Sequence, residues 1–226
     1  LFPGSPSSII RARVKKAPVT IIGGGFSKAL YDLIAGAKYK KVEDLKGTTT
    51  GVINVTSGST ILLKKVLAAH GLHYPKDFDM LVVGGTPDRF AAVKSGGVSA
   101  AMVTPPTSFK ALEAGLNVLA NIGNYLPDYQ FNAIGANTNW LKANRDVAVG
   151  FLTGMIKGQR FINDPKNKEE TIDILVKFNK IKRKYAQMSY KMIVEDLKPM
   201  PTDASVSTKA TNVLIKVLVE NNKLKK

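Results

Sequence analysis

Four hydroxyls surround one glycine in the stretch Thr56-Ser57-Gly58-Ser59-Thr60. A β-branched run precedes it and an apolar-periodic run follows, so it reads as a strand end passing into a helix start. A helix N-terminus offers unpaired N–H groups and a partial positive charge. The hydroxyls add donors, and Gly58 lets the backbone approach a bound group. Such a seat suits a carboxylate, sulfonate, phosphate or carbonyl oxygen. Plain N-capping by Ser59 is the alternative, but it uses only one hydroxyl.

Two further loops have the same character. In Thr104-Pro105-Pro106-Thr107 the prolines fix the backbone and remove donors, which leaves polar contacts to Thr104 and Thr107 around Pro106. A rigid turn explains the same residues. In Gly4-Ser5-Pro6-Ser7-Ser8, Ser5 and Ser7 stand before a helix, either as ligand donors or as ordinary caps. Tyr31 with Asp32, and Asp128 with Tyr129 and Gln130, fall where the chain is expected to cross between lobes. Tyr31 and Asp128 are therefore candidates for a cleft floor, with Asp128 suited to an amine; satisfying backbone groups is their plainer role. His70 and His73 have the spacing of half a metal site, but Gly71 interrupts the helix between them and no carboxylate cluster joins them. No metal site, cofactor or catalytic residue is expected. The sequence contains no HExxH, GxSxG, P-loop or GxGxxG pattern.

Composition narrows the classes. The chain of 226 residues has no cysteine, which removes disulfides, thiolate nucleophiles and zinc–thiolate sites. Hydrophobic residues make up 44%, enough for a buried core, and no uncharged apolar run is long enough to span a bilayer. The net charge of +16 is uneven. Residues 1–50 hold nine Lys/Arg against three Asp/Glu, residues 51–140 six against five, and residues 141–226 eighteen against nine. Such a field speeds the encounter with anions or simply aids solubility. Nucleic acid is not an expected partner, since only six of the cations are Arg and no helix-turn-helix, zinc-finger or RNP pattern is present.

These loops need elements to hold them. Residues 4–16 read as a loop entering a helix, and residues 19–22 and 29–35 as strands. Between residues 49 and 120 strands alternate with short helices. That grammar implies right-handed βαβ crossovers and a mainly parallel sheet. After an extended segment at 130–136 the chain reads as helix only, over 147–162, 168–178, 183–194 and 209–221. Such a tail has no sheet of its own to cover, so it is expected to fold back on the opening strands. The expected organisation is a discontinuous basic lobe, 1–40 with 137–226, and a continuous lobe, 41–136, hinged at two crossings.

The order of these pieces carries a resemblance. Ala17-Pro18-Val19 after a basic helix, residues 42–47 (VEDLKG), Gly51-Val52 leading to Gly58-Ser59-Thr60, residues 90–97, residues 100–106, and Ile162-Asn163-Asp164-Pro165 resemble the nitrate/sulfonate/taurine group of periplasmic binding proteins. That group also includes binding proteins for thiamine-pyrimidine precursors. The likeness spans nearly the whole chain. It implies the type II periplasmic-binding fold, α/β with two lobes, and places residues 5–8, 56–60 and 104–106 against the ligand. It also implies that the first lobe is incomplete at its N-terminus. Enzymes of the same fold, a desulfinase and a pyrimidine synthase, point to cysteine-dependent chemistry that this chain cannot perform.

The expected function is therefore the substrate-binding component of an ABC importer. It clamps a small polar or anionic organic ligand, serves a membrane permease, and works in the periplasm or lipid-anchored outside the cytoplasm. An effector-sensing domain of a cytosolic transcription regulator, or an enzyme of the same fold working without cysteine, stays open from sequence. Residues before Leu1 would separate them: a helix-turn-helix for the regulator, a signal peptide or lipobox for the transporter.

Overall fold

Pro6 has no N–H to lose and opens the first helix, α1 (Pro6–Val14), behind Ser5, whose extended backbone places it as N-cap. Arg11 and Arg13 lie in the last turn, where cations suit the helix dipole. Lys16 ends the run in the left-handed region at φ 65°. Strand β1 (Phe2–Gly4) precedes α1 and β2 (Val19–Gly24) follows it. Both pair antiparallel with β8 (Ala133–Asn137), in the order β1-β8-β2. The loop expected around Gly4 thus begins as a strand, because β8 offers it a partner edge.

The computed structural model describes residues 1–221, 223 and 224. It divides into a first unit, Leu1–Ala29 with Asp128–Lys226, and a second unit, Leu30–Pro127. These limits correct the expected boundaries at 40/41 and 136/137. Residues 32–35 pair within the second unit and residues 133–137 within the first, because each segment finds its hydrogen-bonding partners there. With these limits the first unit holds 23 Lys/Arg against 10 Asp/Glu, a net of +13, and the second 10 against 7, a net of +3.

The tail of the first unit is helical: α5 (Thr138–Ala143), α6 (Arg145–Asn163), α7 (Lys168–Asn179), α8 (Arg183–Tyr190), a π-helical stretch (Lys191–Leu197) and α9 (Thr208–Glu220). Ile172, Ala186 and Tyr190 form an apolar cluster between α7 and α8. Phe151 of α6 is 43% exposed. The segment before α9 lies on the end of β2. Gly24 N–H donates to the Ala204 carbonyl at 2.7 Å. The Gln159 amide donates to the Gly24 carbonyl at 3.3 Å and accepts from Ala204 N–H at 3.1 Å. A Cβ on Gly24 would stand 1.9 Å from the Ser205 carbonyl oxygen, so glycine is required for this approach. Gln130 is fully buried. Its amide donates to the Asn132 and Phe26 carbonyls and accepts from Ser207 N–H, and its backbone N–H donates to the Ala210 carbonyl.

In the second unit, β3 (Asp32–Ala35) is followed by β4 (Thr48–Val52), α2 (Gly58–Ala69), β5 (Phe78–Val82), α3 (Thr86–Lys94), β6 (Ala100–Val103), α4 (Thr107–Glu113) and β7 (Asn117–Asn121). The sheet order is β5-β4-β6-β3-β7. β4 pairs parallel with β5 and β6, whereas β3 pairs antiparallel with β6 and β7. The five-stranded sheet is therefore mixed and the three-stranded sheet is antiparallel, so neither is mainly parallel as expected. The βαβ crossovers do produce parallel neighbours, but β3 enters the sheet from outside that series and the three-stranded sheet contains no crossover. β3 is buried at all four positions, so both faces of the sheet are covered there. Ile34, Val93, Val98, Ala101, Val103, Ala111 and Leu116 form the core on one face.

Candidate functional site

The parallel pairs bring the carboxyl ends of β4, β5 and β6 to one edge of the sheet, where α2, α3 and α4 begin. Ligands of open α/β sheets bind beyond this edge. β3 runs the other way, and its first residue Asp32 lies opposite Val103 at the end of β6. Tyr31 therefore reaches the same edge as the loops before α2 and α4. Three helix N-termini, with their unpaired N–H groups and partial positive charge, converge there.

The loop before α2 is bound to itself. Ser57, and not Ser59, is the N-cap: its Oγ accepts from Thr60 N–H at 3.2 Å. Ser57 Oγ also lies 3.1 Å from Ser59 Oγ. Thr60 is 1% exposed and donates its hydroxyl to the Asn54 carbonyl at 2.6 Å, which fixes the turn. Thr56 is exposed, and both its N–H and its hydroxyl donate to the Asn54 side chain. The α2 face behind this loop is apolar, with Ile61, Leu62, Leu63, Val66 and Leu67 buried, and so the helix start is held rigidly.

Tyr31 hydrogen-bonds Ser59 and stands near Arg89. Burial raises its phenol pKa, while the Arg89 charge and the Ser59 hydroxyl lower it. Arg89, in the first turns of α3, is 3% exposed. Its Nη1 donates to Ser59 Oγ at 3.4 Å and its Nη2 to Thr86 Oγ1 at 3.1 Å. Burial pulls its pKa down, and Tyr31 and then Asp88 push it up. Asp32 is buried beside Tyr31. Burial raises its carboxyl pKa, with Ser108 and Asn121 acting the other way. Asn121 donates to it at 2.7 Å, and the Ser108 hydroxyl lies near it without closing a regular hydrogen bond.

The structure thus brings Tyr31, Ser57, Gly58 and Ser59 together, with Thr104 and Pro106 at the same sheet edge and only partly buried. Arg89 also belongs here, although it stands on a helix and not in one of the three hydroxyl-rich loops. Its signal was its spacing: four residues before the buried Val93, it shares the apolar side of α3. Asp128 is in the first unit, paired with Lys209 at 2.7 Å, which places it in a structural ion pair. Ser5 and Ser7 share a hydrogen bond of 2.7 Å, and Ser7 is buried. A recess of about 190 Å³ in the first unit, between Ser27, Lys198 and Ser205, contains none of the expected residues. His70 caps the end of α2, 2.7 Å from both Glu43 and the Tyr125 hydroxyl. No group of three or more metal-ligating side chains occurs among the described residues, and no described helix is long and apolar enough to cross a membrane.

Residues 12–176 match the model of the NMT1-like family. The chain belongs to that family. Solved structures agree on the architecture. The alkanesulfonate-binding protein of Xanthomonas axonopodis pv. citri, bound to MOPS, has a TM-score of 0.77 and 17% identity, over 99% of this chain and 76% of its own. The ligand-binding component of an ABC-type import system from Staphylococcus aureus, with zinc bound, has a TM-score of 0.78 and 13% identity, over 98% and 74%. The periplasmic nitrate-binding protein from Synechocystis PCC 6803 has a TM-score of 0.70 and 16% identity, over 97% and 65%. At these identities the likeness establishes the fold of this NMT1-like chain as that of the periplasmic binding proteins. No curated protein matches the sequence.

Proposed function

We propose that this NMT1-like chain is the extracytoplasmic substrate-binding component of an ABC importer, and that it binds rather than transforms a small polar or anionic organic ligand. The observation that carries the reading is the convergence of Tyr31, Ser57, Gly58 and Ser59 at the carboxyl edge of the second unit's sheet, beside Thr104 and Pro106. Thr56 and Thr60 shape the loop that presents them. Ser5 and Ser7 of the first unit are proposed as further contacts, made as the ligand is enclosed. Relatives of the same fold named for alkanesulfonate, nitrate and ABC-type import support this reading. The ligand docks on the second unit and favours a closed form only by binding it better than the open one. The closed form is then what a membrane permease engages.

Thermal melting of the full chain, titrated with small sulfonates, nitrate, aromatic acids and pyrimidines, tests this. Saturable stabilisation by at least one compound, reduced by Ser57→Ala, is expected. Absence of stabilisation by every compound would remove the transport reading.

A further inference from the structure

Arg89 is a buried cation with no acid in contact with it. Its two terminal nitrogens reach only the hydroxyls of Ser59 and Thr86, and its Nε is buried without any partner. No ion pair to it is present among the described residues. The adjacent Asp88 is exposed and accepts from Gly85 N–H at 2.8 Å, capping α3 instead. A guanidinium does not deprotonate in proteins, so the charge cannot be shed. Burying an unpaired ion costs several kcal/mol. The position makes matters worse, because Arg89 lies at the start of α3 and beside the start of α2, whose partial charges have the same sign. Three positive contributions thus meet beside the linked side chains of Ser57, Ser59 and Tyr31.

We propose that this unbalanced charge is the counter-ion for an anionic group of the ligand, and that Arg89 determines the sign of what the site accepts. The inference rests on the ligand-binding reading above and deepens it. Ser59 and Thr86 accept from Arg89, so their own hydroxyl hydrogens are turned away from the guanidinium. The Tyr31 phenol hydrogen-bonds Ser59. An anion seated at the first turn of α2 takes these donors and neutralises the charge behind them. A neutral molecule of the same shape takes the donors but leaves the charge uncompensated, and the site rejects it for that reason. Arg89 is therefore a positioning residue, acting through Ser59 and through its field rather than by open contact.

The test uses the full chain, with methanesulfonate, nitrate and acetate as sodium salts and dimethyl sulfone as the neutral isostere of methanesulfonate, all at constant ionic strength in sodium chloride. Binding is read by calorimetry and by thermal shift. At least one anion should stabilise the protein saturably, and dimethyl sulfone should not. Arg89→Met should weaken that anion by about tenfold or more and erase the preference over the sulfone, and Arg89→Lys should restore part of it. Arg89→Met should also melt no lower than the parent without added anion, since it relieves a buried charge; a purely structural arginine predicts the opposite. Undiminished anion binding by Arg89→Met, or equal stabilisation by the sulfone, overturns the proposal. So does the lack of any response to the three anions, while a neutral compound binding in the wider titration would leave the transport reading standing.

Discussion

Glu43 and His70 meet at 2.7 Å, carboxylate to Nδ1, and tie the 3-10 turn Val42–Leu45 to the end of α2. The hydrogen bond with His70 is the main cause of a Glu43 carboxyl that titrates below its ordinary value. A depressed folded pKa means that the stabilising contribution exists above the unfolded value and is lost as the pH falls through the folded one. Glu43→Gln should therefore melt slightly lower than the parent at neutral pH. The gap should close in acid, below the pKa of Glu43. Melting curves across that range check this, and a gap that persists or widens in acid contradicts it.

Asp32 behaves in the opposite sense. Burial raises its carboxyl pKa, so the folded protein holds this proton more readily than the unfolded chain. Its effect on stability is most favourable below the unfolded value and becomes adverse as the pH rises through the folded one. Asp32→Asn keeps an oxygen for the Asn121 amide and removes the charge. Its melting temperature should gain on the parent as the pH rises from the ordinary carboxylate value through the raised folded one. A constant difference across that range would show that Asp32 is not the titrating group.

Two glycines should respond with opposite signs. A methyl on Gly24 would meet the Ser205 carbonyl, which is backbone and has little room to yield. Gly24→Ala should cost about 1–3 kcal/mol in urea unfolding. Gly154 lies within α6 with nothing in reach of an added Cβ. Gly154→Ala should add about 0.5–1 kcal/mol through helix propensity alone.

Gln130 is a buried side chain that satisfies three backbone groups, at Phe26, Asn132 and Ser207. Gln130→Ala strands those groups away from water and should lower stability by about 2–3 kcal/mol in urea unfolding. Faster proteolysis near residues 204–207 should accompany it, because the Ser207 N–H loses its acceptor.

Much of this was legible from residue order. The alternation from residue 49 to residue 120 is that of β4 to β7 with α2 to α4, and Gly71, with positive φ, follows the end of α2 as expected. The Ser/Thr loop before α2 was found because its hydroxyl content is a local property. Register was not legible. β3 lies between β6 and β7 without a crossover to either, so only its buried neighbours fix its direction. The cap moved from Ser59 to Ser57 because both serines satisfy the same local rule, and the hydrogen bond to Thr60 N–H distinguishes them. Arg89 was only weakly marked, by its place on the apolar side of α3. A cation on a helix reads as solvated until Ser59, thirty residues earlier, is known to lie against it.

The second unit is one uninterrupted stretch, and the chain leaves and re-enters the first unit side by side, with Tyr129 N–H donating to the Ser27 carbonyl at 3.0 Å. During synthesis on a ribosome the two units therefore mature at different times. Residues 30–127 have all their partners once they emerge, whereas β2 waits for β8 while roughly 100 further residues are made, some 5–20 s at ordinary elongation rates. The nascent protein passes through an interval in which residues 30–127 are folded and β2 still lacks β8. That interval is where a chaperone has the most to hold.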